Sequence, residues 1–324
     1  MASILVTGGA GYIGSHVCKA LHARGHVPVT YDNLVRGHRG FVKWGPLEVG
    51  DIRDEARLDA VIAQYRPQAC VHLAAFAYIG ESFAEPLAYY DNNVLGSLSL
   101  VRGLTRGGVR KLLFSSTCAV YGVPERVPVS EAAVPNPINP YGRTKLAVER
   151  MIADVAATGA LDFGILRYFN AAGGDPDGEV GETHDPEPHL IPTVIARVVA
   201  GEPVAIFGDD YPTDDGTCIR DYIHVTDLAD AHVRALAAID GGERALAVNL
   251  GTGRGHSVRS IAHEVGRLTG KPVRLNITPR RQGDPPVLVA AADRARELLG
   301  WQPAYSDLET ILRTAIAWHR KSRA

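Results

Sequence analysis

Residues Gly8-Gly9-Ala10-Gly11-Tyr12-Ile13-Gly14 follow an apolar run, Ile4–Thr7, and open a helix-like stretch, Tyr12–Arg24. A strand that ends in closely spaced glycines before a helix leaves few folds open. The first glycines permit a tight turn, Gly11 lets the backbone approach a pyrophosphate, and Gly14 lets the helix pack close to the strand. The segment satisfies G-x-x-G-x-x-G and, read from Gly9, also G-x-G-x-x-G. The helix N-terminus then offers free N–H groups and a partial positive charge to phosphates.

The alternation continues downstream. Val27–Tyr31, Ala69–Leu73, Lys111–Ser115 and Phe163–Arg167 read as buried strands, and Val94–Leu104 and Tyr141–Ala157 as helices, the latter started by Pro140. Strands alternating with helices imply βαβ units and a parallel sheet covered on both faces. The expected fold is therefore α/β: a Rossmann-type doubly wound parallel sheet with a smaller, mixed α/β C-terminal substrate domain. After Tyr168 the texture changes. Residues 173–189 and Gly208–Thr217 read as polar loops, around a helix Ile191–Ala200 and a strand Val204–Phe207, and further helices are expected at Val258–Leu268 and after Ser306. The expected boundaries are a dinucleotide-binding domain over 1–170, with 222–238 returning to it, and a substrate domain over 171–324.

Composition removes several function classes. The chain has 324 residues with 34 basic and 36 acidic side chains, and no basic run suits a nucleic-acid backbone. No apolar stretch reaches the ~20 residues that cross a bilayer. The strand-like start, directly after Met1-Ala2-Ser3, is read as leaving no room for a signal peptide. Cys18, Cys70, Cys118 and Cys218 are scattered and read as reduced thiols, so a cytoplasmic location is expected.

Asp32 ends the second strand-like run, as ribose recognition requires, with Asn33 beside it. A carboxylate there accepts hydrogen bonds from a 2′-hydroxyl and repels a 2′-phosphate. This favours NAD over NADP, although Arg36 stands nearby. Asp51-Ile52 follows another strand-like run and is a candidate for the adenine edge or for a plain turn. Leu73-Ala74-Ala75 is a strand end of mostly small residues, suited to a flat ligand or to packing. Tyr141 and Lys145 lie one helical turn apart, and Ser115-Ser116-Thr117 ends a strand. A phenol ionises near pH ~10, and an ammonium and an oxidised nicotinamide nearby would favour the phenolate. Tyr141 is thus a candidate base, Lys145 its electrostatic support and ribose anchor, and Thr117 a bridge to a substrate oxygen.

The glycine turn, Ser115-Ser116-Thr117, Tyr141-x-x-x-Lys145 and Arg167-Tyr168-Phe169-Asn170 resemble the extended short-chain dehydrogenase/reductase superfamily. Further stretches are similar to its UDP-glucose 4-epimerase family. They are Gly80-Glu81-Ser82, Tyr89–Asn93, Phe207–Thr213, Asp215–Val225 and Pro279-Arg280-Arg281-x-Gly283-Asp284. The resemblance implies an isomerase that interconverts UDP-glucose and UDP-galactose through oxidation at sugar C4, rotation of the 4-keto sugar and hydride return, with NAD regenerated each turn. It implies NAD contacts at Gly8, Gly11, Tyr12, Ile13, Gly14, Asp32, Asn33, Asp51, Ile52, Leu73, Ala74, Ala75, Asn92, Ser115, Tyr141, Lys145 and Tyr168. It implies UDP-sugar contacts at Thr117, Phe169, Asn170, His189, Leu190, Ala205, Phe207, Arg220, Arg281 and Asp284. A homodimer through helices near 90–107 and 141–157 is expected by the same analogy.

The chain departs from that pattern at Ala77, where many members carry Lys, and Tyr78 beside it has no evident role. The Ala77-Tyr78 pair also resembles UDP-arabinose 4-epimerases, which keeps a UDP-arabinose/UDP-xylose substrate open. Leu288 stands where residue size is linked to tolerance of N-acetyl sugars. A 4,6-dehydratase or decarboxylase needs acidic groups after the catalytic Thr, and Thr117 is followed by Cys118-Ala119. His189, with His184 nearby, reads as a hydrogen-bonding residue in place of the family's usual Asn. No metal is expected, on the ground that no Cys or carboxylate completes a ligand set.

Overall fold

The computed structural model describes residues 2–281 and 284–323; Met1, Gln282, Gly283 and Ala324 lie outside the described residues. Thirteen strands occur among them. β1 (Ser3–Thr7), β2 (Val27–Asp32), β3 (Leu47–Val49), β4 (Ala69–His72), β5 (Lys111–Thr117) and β6 (Asp162–Tyr168) are joined by β10 (Ala245–Leu250) in one sheet. Its order is β10-β6-β5-β4-β1-β2-β3, and every pairing is parallel.

The strands are apolar on both faces, as a fully covered parallel sheet requires. Side chains alternate between two cores. Ile4, Val6, Val71, Leu113 and Leu166 face the helices Tyr12–Ala23 and Val225–Asp240. Leu5, Cys70, Leu112, Phe114 and Ile165 face Glu55–Tyr65, Gly96–Arg106 and Pro140–Ala157. Two of these elements were not foreseen. The strand β10 is a short run after Gly241-Gly242, and it pairs with β6 over its whole length. The helix Glu55–Tyr65 is rich in charge, and Asp54 caps it by accepting from the Arg57 N–H at 3.0 Å.

Smaller sheets carry β7 (Asn170–Ala172), β8 (Val204–Phe207), β9 (Ile219–His224), β11 (Gly255–Ser257), β12 (Leu275–Thr278) and β13 (Val287–Leu288). β9 is flanked by β11 and β13 and also pairs with β7, while β8 and β12 form a separate pair. Helices Leu190–Ala200, Val258–Thr269 and Leu308–Ser322 pack around Val194, Ile195, Ile261 and Leu312 in a core of their own. None of the helices among the described residues is long and apolar enough to cross a membrane.

One buried ion pair sets the position of the helix Pro140–Ala157. The Arg167 guanidinium on β6 grips both oxygens of Glu149, at 2.9 and 2.6 Å, with the two side chains 10% and 4% exposed. Ser116 on β5 donates to the same carboxylate, and Arg167 also donates to Tyr121, which donates on to Asn249. Removing one partner of such a pair strands a buried charge, at about 3–5 kcal/mol. Arg167→Met is therefore expected to lower unfolding free energy by about 3–5 kcal/mol in urea titrations at neutral pH. A loss under about 1 kcal/mol would show the pair to be dispensable.

Candidate active site

In a doubly wound sheet, ligands bind where the strand order reverses. Here the reversal falls between β1 and β4, and the glycine turn and Leu73–Ala75 face each other across it. A Cβ at Gly8 would stand 2.7 Å from the Ala74 amide nitrogen, and one at Gly14 would overlap the Gly8 carbonyl. At Gly11 a Cβ would meet only the Gly8 carbonyl, at 3.3 Å, so the turn is open on that side. Asp32 closes β2 and is held by the Ala10 and Leu34 N–H groups at 3.0 and 2.8 Å. Burial nevertheless raises its pKa. The turn, the acid and the crevice together fit a dinucleotide, and they open on a single cavity of about 1430 Å³.

Tyr141 and Lys145 also line this cavity. Asn139 caps the helix Pro140–Ala157 by accepting from the Gly142 N–H at 2.7 Å, which fixes the first turn and Tyr141 within it. One turn on, Lys145 donates to the Ser115 carbonyl at 2.8 Å, and its ammonium lies 4.8 Å above the Phe114 ring. Burial pulls Lys145 down to about 7, with Glu149 opposing. Burial, reinforced by the Tyr168 phenol, pushes Tyr141 well above its ordinary value, with the Thr117 hydroxyl acting the other way. The lowered phenol expected from the sequence is therefore not a property of the ligand-free protein. Desolvation dominates there when no ligand brings positive charge to the phenol.

Of the residues expected to meet cofactor or sugar, all but two line the cavity. Ser115 does not; it is buried, its hydroxyl is bonded to the Tyr168 phenol, and it contributes its carbonyl to Lys145. Asp51 does not either. Arg53 chelates it and lowers its pKa, and Asn33 donates to it at 3.0 Å, so it holds the turn behind Ile52. Elsewhere in the lining, Arg220 is nearly buried and pairs with Asp284 at 2.9 Å, and the Arg281 guanidinium stacks 3.7 Å over Phe207. Asn170 donates to the Asp221 carbonyl, and Leu288 is buried against Cys118 and Phe169.

Several residues passed over by the sequence reading complete the site. The helical stretch before Gly96 widens to a π turn over Tyr90–Leu95, a device common at functional sites. Within it the expected Asn92 reaches the cavity, while Asn93, given no role from the sequence, clamps the Phe76 backbone and donates to Thr144 on the helix Pro140–Ala157. Arg36 lies between the Phe76 and Tyr78 rings, at 4.5 and 4.3 Å, and grips Glu81. Tyr78 thus gains a role beside Ala77: it covers the Arg36 cation at the cavity wall. His189 needs a correction, because carboxylates do converge on it. Glu182 and Glu187 lie 2.7 and 3.2 Å from its Nδ1. Burial disfavours the imidazolium, but these two acids outweigh it and hold His189 up to about 10.

A crevice that fits a dinucleotide, joined to a Tyr/Lys pair and a polar, arginine-bearing far wall, defines a nicotinamide-dependent enzyme acting on an alcohol carbon of an anionic substrate. Over residues 4–251 the chain matches the NAD dependent epimerase/dehydratase family, and it belongs to that family. It is 50% identical to the UDP-glucose 4-epimerase of Rhizobium leguminosarum bv. trifolii over 99% of this chain and 98% of that one. Among solved structures, UDP-glucose 4-epimerase from Brucella ovis in complex with NAD superposes with a TM-score of 0.95 at 52% identity, covering 98% and 99% of the two chains. UDP-glucose-4-epimerase from Stenotrophomonas maltophila, with bound NAD and formylated UDP-arabinopyranose, gives 0.96 at 41% identity, covering 100% and 99%.

Lys145 carries a pH signature. Its folded pKa of about 7 lies below the ordinary lysine value of ~10.4, so the unfolded chain binds more protons between those limits. Its penalty on the fold is full below pH ~7 and gone above ~10.4, so stability rises with pH across that window. In ligand-free protein, Lys145→Met is expected to flatten that rise in unfolding free energy between neutral pH and pH ~9.5. Parallel curves for the two proteins would contradict the burial of an ammonium there.

Proposed function

We propose that this chain interconverts UDP-glucose and UDP-galactose by transient oxidation at sugar C4. The observation that carries the reading is the convergence of Tyr141 and Lys145 with the glycine turn on one cavity whose far wall holds Arg220 and Arg281. Gly8, Gly11, Gly14 and Asp32 would hold NAD by its pyrophosphate and ribose, with Lys145 on the second ribose. Bound there, NAD supplies a hydride acceptor that can return the hydride, so none is consumed overall.

Tyr141 would take the C4 hydroxyl proton, and Thr117 would hold the same oxygen. Two guanidinium forks suit a diphosphate better than lysines do. Arg220 and Arg281 are assigned to it, with Asp284 aligning Arg220 and Phe207 backing Arg281. A tightly held nucleotide with a loosely held hexose lets the 4-keto sugar turn over its other face to the cofactor. Thr117 is followed by Cys118 and Ala119, which gives no support to a dehydratase. A UDP-arabinose/UDP-xylose substrate is the second reading, on the resemblance of the Ala77-Tyr78 pair to UDP-arabinose 4-epimerases.

We further assign the seven-stranded sheet and its helices to cofactor binding, and the smaller sheets with theirs to the nucleotide sugar. A homodimer is inferred along the helices near 90–107 and 141–157, where Tyr90 and Leu95 are exposed. The four cysteines are free and buried, which suits a reducing, cytoplasmic setting.

Purified protein is expected to convert UDP-galactose to UDP-glucose without added cofactor. Tyr141→Phe should lower kcat about 10³-fold while bound NAD is retained. Full turnover in that variant would refute the role of the phenol. Arg220→Ala should weaken UDP binding by about 10- to 100-fold in calorimetry, the value of a charge-assisted hydrogen bond. Unchanged affinity would remove Arg220 from the phosphate site. A parallel assay with UDP-arabinose separates the two sugar readings.

A further inference from the structure

We propose that Glu182, His184, Glu187 and His189 form a binding site for one divalent transition-metal ion of the zinc class, which pins the stretch 182–189 into a fixed turn at the cavity wall. The four residues occupy an eight-residue stretch, Glu-x-His-x-x-Glu-x-His, that ends at the N-cap of the helix Leu190–Ala200. Each offers one ligand atom, and these atoms all lie within 4.8 Å of one another.

The separations suit a tetrahedron. Ligands ~2.1 Å from a zinc ion stand ~3.4 Å apart along each edge. The observed separations are 3.7 Å (His184 Nδ1 to Glu182 Oε1), 3.2 Å (His184 Nδ1 to Glu187 Oε2), 2.7 Å (His189 Nδ1 to Glu182 Oε1) and 3.2 Å (His189 Nδ1 to Glu187 Oε1), with Glu187 turning a different oxygen to each imidazole. Two imidazoles and two carboxylates are also the donor types that zinc accepts. Two carboxylates and two neutral imidazoles balance one divalent cation, so binding releases to solvent the proton that the acids hold on His189 in the metal-free protein.

A second observation points to a ligand. The Glu182 side chain is only 7% exposed, yet its Oε1, aimed into the cluster, has no hydrogen-bond partner of normal geometry among the described residues. Its one close neighbour there is His189 Nδ1, at 2.7 Å, a second donor of the cluster. The contrast with a second acidic group in the same segment is direct. Asp175, Asp177 and Glu179 also cluster, but the Lys19 ammonium sits on all three at 2.8, 2.6 and 2.8 Å. Among the described residues no lysine or arginine forms an ion pair with Glu182 or Glu187.

The surroundings describe a structural role. The Tyr78 ring stands edge-on to both imidazoles, at 5.8 and 5.9 Å, and the Trp318 indole donates to the Glu182 carbonyl at 2.9 Å. With four protein ligands, the ion would be closed to substrate. It would act by fixing His189 and Leu190, which line the cavity.

The test uses the full-length, NAD-loaded protein stripped with a chelator and titrated with Zn²⁺. One equivalent is expected to bind with a Kd below about 1 µM. X-ray absorption of that complex should give a first shell of nitrogen and oxygen only, with two imidazoles. The double variant His184→Ala/Glu187→Gln should bind at least ~100-fold more weakly while retaining NAD. Absence of stoichiometric binding, equal binding by the variant, or a shell containing sulfur or lacking imidazole would each overturn the site. Because absorption is measured on the unaltered protein, the result stands even if the variant fails to fold.

Discussion

The parting of β1 and β4 at their C-terminal ends is the constraint on which the rest depends. Chain leaving β1 crosses toward β2, and chain leaving β4 proceeds toward β5, so the space between them is vacated by backbone from both sides. Only glycine at position 8 can border that space, since a side chain there would strike Ala74. The crevice then dictates what must lie above it. The buried Glu149–Arg167 pair holds the helix Pro140–Ala157 across β5 and β6, which brings Tyr141 and Lys145 over the same opening. Stability of the sheet and placement of the chemistry are one arrangement.

The electrostatics of that opening explain its chemistry. Without ligand, burial drives both Tyr141 and Lys145 toward their neutral forms. His72, bonded to Thr7 and Ser97 beneath them, is also kept neutral, lowered to about 3 by burial and by Lys145. A low-dielectric pocket of neutral groups magnifies any charge that enters it. A phenol in such a place would become a base only when positive charge arrives with the ligand, which would confine base strength to the loaded state.

Local patterns were legible in the sequence. The glycine turn, Asp32 and the Tyr141/Lys145 pair each depend on a few adjacent residues, and their partners are backbone atoms or the bound ligand. Features that depend on distant partners were not. Arg167 reads as a superfamily motif residue until Glu149, 18 positions earlier, is found against it. Ser115 reads as a free hydroxyl until Tyr168 on the neighbouring strand captures it. Arg36 gains meaning only between Phe76 and Tyr78. The strand β10 was missed because its identity comes from the free edge of β6 rather than from its own six residues. The carboxylates around His189 are a different case. Glu182 and Glu187 stand within seven positions of it in the sequence, but a loop without periodicity gives no reason to expect four side chains to converge.

The central claim is that the hydrogen at sugar C4 leaves and returns as hydride within one closed site. It is tested most directly with UDP-galactose carrying deuterium at C4, converted to UDP-glucose in ordinary water and followed by mass spectrometry and NMR. Deuterium retained at C4 of the product is the expected result, since the label never meets solvent. Its replacement by hydrogen would contradict the claim, because it would mean that C4 loses a proton to a base open to water.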